Sequence, residues 1–84
     1  MPCLKKIFGN NLRDFRLQCG LSQEELAERL NLTSHSISNI ERGVHGPRFT
    51  TLEKLVNELG VSAGDLFRND IRPPPHSMTR SSRD

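Results

Sequence analysis

Between residues 4 and 67 the apolar side chains recur at helical spacing, and no stretch alternates for long enough to make a strand. The pattern is also cut repeatedly. Gly20, Asn31, Gly43 and Gly60 interrupt it at intervals that leave no room for a long helix. Short amphipathic helices bury their apolar faces only by packing on one another. The expected fold class is therefore all-α, a compact five-helix domain over residues 4–67.

The segments read as follows. Leu4, Phe8, Leu12, Phe15 and Cys19 fall on one face of a first helix, and Gly20 ends it by accepting positive φ. Ser22 with Glu25 three residues on forms a capping box, opening a short second helix with Leu26, Ala27 and Leu30 inward. Asn31 and Leu32 break that helix. Thr33 caps a third, which runs through Ile37 and Ile40 to Arg42 before Gly43 stops it. Residues 43–49 hold two glycines and a proline and read as a loop. Thr50 or Thr51 caps a fourth helix whose inner face is Leu52, Leu55, Val56 and Leu59, and Ser62 caps a last turn leading to Leu66 and Phe67. Three consecutive prolines, Pro73 to Pro75, then exclude a continuing helix. Residues 68–84 are expected to form a Pro-rich C-terminal tail, flexible or extended, with no core of its own.

Composition narrows the function classes. A chain of 84 residues holds one small domain. No apolar run approaches the length of a membrane span, and no signal peptide is visible, so a cytoplasmic protein without a membrane partner is expected. Cys3 and Cys19 form no metal-ligand pattern and read as reduced thiols. His35, His45 and His76 are not at paired ligand spacing, and no phosphate loop, HExxH or nucleophile motif is present. No enzyme, metal or cofactor is expected. The formal charge is +2, but residues 1–67 carry eight Lys/Arg against eight Asp/Glu. The excess lies in the tail, so net charge alone does not indicate a nucleic-acid partner.

Placement says more. Two short helices joined by a tight turn, Gln23–Leu30 and Ser34–Arg42, are an arrangement able to carry DNA recognition. Ala27 sits where they would cross, and Asn31 tolerates the positive φ expected in the turn. With Leu26, Leu30, Leu32, Ile37 and Ile40 inward, Ser34, His35, Ser36 and Asn39 face outward. Polar outward positions occur in any three-helix domain, so spacing leaves a plain structural role open.

The stretches Gly20-Leu-Ser-Gln-Glu-Glu-Leu-Ala27, Ile37-Ser-Asn-Ile-Glu-Arg-Gly43, Pro47-Arg48-Phe49 and Leu59-Gly-Val-Ser62 together resemble, in order and spacing, the Cro/repressor (Xre-like) helix-turn-helix family. The likeness covers roughly residues 6–67 and implies a repressor-like domain. It implies that the third helix enters the major groove, with Ser34, His35, Ser36 and Asn39 reaching base edges. Asparagine can pair bidentately with adenine. Gln23, Thr33, Arg42 and Arg48 are then the residues for the DNA backbone or minor groove. The resemblance makes Arg16 and Glu41 a structural ion pair and denies both a DNA role. It implies a homodimer on a near-palindromic operator, with Pro47, Phe49, Leu66 and Phe67 as dimer contacts. For Phe49 and Phe67, closing the small core is an equal alternative. Glu53, Glu58 and Asp65 would repel phosphate and are expected to face away from DNA. Double-stranded DNA is the expected partner. The rival reading is an antitoxin-like or anti-repressor-like module in which the same fold holds a protein partner.

Overall fold

The computed structural model describes residues 3–69; the segment carrying Ile71, Pro73 to Pro75 and the serines and arginines beyond lies outside the described residues. Five helices follow in order: α1 Leu4–Gln18, α2 Gln23–Leu30, α3 Ser34–Glu41, α4 Phe49–Leu59 and α5 Ala63–Leu66. No strand occurs among the described residues. α3 packs against both α1 and α2, α4 against α2, and α5 against α1. Phe8, Leu12, Leu26, Leu30, Ile37, Ile40, Leu55 and Leu66 make the shared core.

Local chemistry sets the boundaries. Ser22 accepts from the Glu25 backbone N–H while the Glu25 carboxylate accepts from that of Ser22, so both expected halves of the capping box are made. The Ser22 backbone donor, and then its hydroxyl, hold the Glu25 carboxyl below its ordinary range. Asn31 ends α2 at φ 59°, and the Leu32 N–H reaches back to the Ala27 carbonyl at 2.8 Å, closing the tight turn before α3. Thr33 caps α3 through the Ser36 N–H, and Ser62 with Asp65 makes a second capping box at α5. α3 stops at Glu41, one residue short of the expected end, with Arg42 as its C-cap.

Several expectations about burial and capping change. Leu4 and Cys19 are exposed, Leu4 at 58%, because α1 turns a different stripe inward: Phe8, Gly9, Asn11, Leu12 and Arg16. Gly9, Asn11 and Arg16 carry no apolar side chain, which hid the stripe from hydrophobic spacing. α4 begins at Phe49 with Arg48 as its N-cap and no capping side chain, so neither Thr50 nor Thr51 caps it. Thr51 instead lies one turn before Leu55 and two before Leu59 on the buried face of α4, while Leu52 and Val56 are half-buried. Leu66 is fully buried and Phe67 stacks on Phe8 with ring centroids 5.0 Å apart. Leu66 is therefore a core residue, and its assignment to a dimer face is corrected: no surface remains to present to a second chain.

Two polar features lock the packing. Asn11 is buried and its side-chain amide donates to the carbonyls of Leu66 at 2.8 Å and Arg68 at 2.9 Å, tying the end of the described chain to α1. Gly9 lets α1 approach the last turn of α3 so closely that a Cβ would collide with the carbonyl groups of Ile40 and Glu41. Backbone cannot move aside as a flexible side chain can. Gly9→Ala should therefore destabilise by about 1–3 kcal/mol despite the better helix propensity of alanine, measured by urea unfolding.

Candidate nucleic-acid interface

The outer side of α3 follows from what its inner side must bury. Ile37 and Ile40 are held in the core, and at 100° per residue that leaves positions 35, 38, 39 and 42 turned outward. His35 and Arg42 are exposed and Ser34, Ser36 and Asn39 half-buried. Thr33 is exposed at the N-terminus of the helix, where its hydroxyl both caps the Ser36 N–H and donates to Ser36 Oγ at 3.0 Å. The Ser36 hydroxyl proton stays available to a ligand.

The side chains at the C-terminal half of α3 are already engaged. Arg42 Nη2 donates to Asn39 Oδ1 at 2.8 Å, and Asn39 Nδ2 lies 3.1 Å from His35 Nε2. Asn39 is thus engaged at both ends of its amide, which leaves one N–H and one oxygen lone pair for a bidentate pair with adenine. Gln23, at the first position of α2, donates from Nε2 to Glu41 Oε1 at 3.0 Å. One N–H of that amide remains to meet a phosphate beside the backbone N–H groups at the start of α2.

Arg16 and Glu41 form a two-pronged ion pair. Nε and Nη2 of Arg16 donate to Oε2 and Oε1 of Glu41 at 2.6 and 3.1 Å, and Nη1 donates to the Leu21 carbonyl at 2.7 Å. Both residues are more than nine-tenths buried. The pair joins α1, the turn before α2, Gln23 and the last residue of α3 at one node, which sets the angle at which α3 leaves the body.

Charge around α3 is uneven. A groove beside it is lined by Ser36, His45, Arg48, Thr50 and Lys54, so one flank is basic. In the sequence His45 reads only as a histidine without a ligand partner and Thr50 only as a candidate cap, and Lys54 carries no signal. The spacing of Thr50 and Lys54, one helical turn apart, is a signal only once the helix is known to begin at Phe49. Lys54 Nζ donates to the Leu30 carbonyl at 3.0 Å, neutralising the C-terminal end of α2. On the other flank Glu24 and Glu28 border a depression that includes Asn31 and Ser34. A polyanion would meet α3 from the Arg48 side. Glu53 lines a separate groove with Leu52, Val56, Asn57 and Ala63, and Glu58 pairs with Arg29 at 2.9 Å between α2 and α4.

Pro47 is half-buried, and Phe49 is 85% exposed. Together with Leu4, Phe8, Leu52 and Phe67 they line an apolar hollow at the surface. Phe67 is half-buried there through its contact with Phe8. No cluster of His, Cys, Asp and Glu that could hold a metal occurs among the described residues. No helix among them is long and apolar enough to cross a membrane.

Two helices joined at an αL asparagine, the second held by the first and presenting a polar face, define a helix-turn-helix protein. The helix-turn-helix family HTH_3 matches residues 12–66, and the chain belongs to that family, of the Cro/repressor (Xre-like) type. Its relatives include the HTH-type transcriptional regulator PuuR of Escherichia coli (strain K12), 38% identical over 65 residues that span 77% of this chain and 35% of that protein. The control protein C.BamHI of Bacillus amyloliquefaciens is 38% identical over 65 residues, covering 76% of this chain and 80% of its own. Among solved structures, the restriction-modification controller protein C.AhdI from Aeromonas hydrophila superposes with a TM-score of 0.70 at 33% identity, over 75% of this chain and 96% of that one. The chain thus spans only about a third of PuuR, and a larger share of the controller proteins.

Proposed function

We propose that this chain is a sequence-specific, DNA-binding transcriptional regulator of the repressor or controller type, acting by occupancy of a near-palindromic operator as a dimer. In this reading residues 4–67 are the DNA-binding domain and residues 68–84 an appended tail. α3 enters the major groove. Ser34, His35, Ser36 and Asn39 reach base edges, and Gln23, Thr33, Arg42 and Arg48 approach the backbone or minor groove. The observation that carries the reading is the α3 surface itself: uncharged donors and acceptors in a row, with Arg42 at its end and Arg48 beside it. The names of its relatives, transcriptional regulators and controller proteins, support the same reading.

One domain covers too few base pairs for operator specificity, so two copies place their α3 helices about 34 Å apart. Exposed Phe49, beside Pro47, is the surface best suited to that contact; Phe67 contributes only its half-buried edge.

Binding should weaken with salt. With about four phosphates neutralised per subunit, log K against log salt should fall with a slope near −3.6 per subunit. The measurement is a fluorescence titration with a double-stranded DNA recovered from a random pool. A slope near zero, or no sequence recovered from the pool, would sink the proposal.

A further inference from the structure

The contacts among Arg42, Asn39 and His35 run in one direction only, and the direction follows from donor chemistry. A guanidinium donates and never accepts, so the Asn39 amide must turn its oxygen to Arg42. The amide nitrogen also only donates, and it faces His35 Nε2 at 3.1 Å. Nε2 must therefore carry a lone pair, and the proton of the neutral ring sits on Nδ1. We propose that Arg42, Asn39 and His35 form a directional hydrogen-bond relay in which Arg42, through Asn39, sets the His35 tautomer, and protonation of His35 changes the base that α3 prefers.

In the neutral state the ring's one donor is Nδ1–H, on an exposed side chain. Such a donor suits the major-groove acceptors: guanine O6 and N7, adenine N7, thymine O4. A proton on Nε2 places two donors against each other. The contact with Asn39 then breaks or the amide reverses, and reversal points its nitrogen at Arg42, where donors again oppose. One proton at His35 thereby frees the Asn39 amide nitrogen or, where the amide reverses, also releases Arg42. The charged groups around α3 leave the relay to itself. Glu24 and Glu28 come from α2 alongside Ser34, and His45, Arg48 and Lys54 come from the loop and α4 alongside Ser36. Among the described residues, Asn39 is the hydrogen-bond partner of the His35 ring, and no carboxylate forms an ion pair with it.

The base-preference half of this inference rests on the DNA-binding reading, while the relay does not. Long-range proton–nitrogen correlation on the imidazoles of the free protein near pH 8 should find the His35 proton on Nδ1. In Arg42→Ala the amide is no longer pinned and the proton should move toward Nε2. A wild-type ring protonated on Nε2, or a tautomer unaffected by Arg42→Ala, overturns the relay. Selection from a random double-stranded DNA pool at about pH 5.5 and 8 then tests the consequence. The wild type should change its preferred base at one half-site position, with about tenfold discrimination lost there. His35→Gln, which does not titrate, should recover the same base at both pH values. An unchanged wild-type preference, or a change that persists in His35→Gln, overturns the switch. Recovery of no sequence at either pH fails the DNA-binding reading, with the tautomer measurement still deciding the relay.

Discussion

Replacing Glu41 with alanine is expected to destabilise the domain by about 3–5 kcal/mol, seen as a lower denaturant midpoint with an unchanged slope. The reason is what the substitution leaves behind. Arg16 is 7% exposed and gives two of its three contacts to the Glu41 carboxylate. Without that carboxylate a guanidinium stays buried and only the Leu21 carbonyl answers it. Against a typical stability of about 5–15 kcal/mol, such a loss is a large fraction of the total. The double variant Arg16→Met/Glu41→Leu should recover most of the loss, since it removes the charge and refills the volume. It should not recover all of it, because the Leu21 carbonyl loses its donor. If the double variant is as unstable as the single ones added together, the node owes its stability to something other than charge pairing. The functional consequence lies in the angle of α3. The double variant loses the link from Glu41 to Gln23 and Arg16 that holds the end of that helix, so DNA binding should fall more than stability does.

Leu66→Ala should cost about 2–5 kcal/mol, and the cost should be the same at every protein concentration. Leu66 is fully buried within one chain, between α5 and α1, so its removal opens a cavity in the monomer. Phe49→Ala should behave in the opposite way. A ring 85% exposed contributes little to the folded monomer, and its loss should lower the mass measured by sedimentation while leaving the unfolding midpoint of dilute protein unchanged. A concentration-dependent midpoint for Leu66→Ala would return that residue to an interface. A Phe49→Ala protein that still sediments with the wild-type mass would overturn the proposed role of Phe49 in a dimer contact.

Much of the fold was legible because short-range chemistry writes it into neighbouring residues. The Ser22 and Glu25 box, the Thr33 cap and the αL conformation of Asn31 each depend on contacts within a few positions, and the structure makes all three. The start of α4 differs from the expectation because a threonine suits a helix cap and, with its methyl group, a buried helix face equally well. Packing of Thr51 in register with Leu55 and Leu59 decided between them. Asn11 and Gly9 gave no signal. One is defined by carbonyls more than fifty residues away, the other by the backbone of α3, and neither neighbour is visible from local spacing. In the candidate interface, His35 and Asn39 were legible on the outer side of α3 from the positions of Ile37 and Ile40, whereas Ser38 was not singled out and Ser34 and Ser36 fall to the sides of that face. The engagement of the interface side chains was not legible: that Asn39 is held by Arg42 and His35, and Gln23 by Glu41, depends on rotamers and on helices meeting in space.

The amino-acid sequence by itself determined that the chain is a set of short helices, where most of them begin and end, and which helix carries a polar outer face. Those properties follow from periodicity and from caps, whose partners are a few residues apart. Only the tertiary structure decided that Leu66 belongs to the core, that the buried stripe of α1 includes a glycine, an asparagine and an arginine, and that the α3 side chains form a directed chain of hydrogen bonds. Burial and hydrogen-bond direction are properties of pairs of groups, and for these residues the second member of the pair is set by how the helices pack.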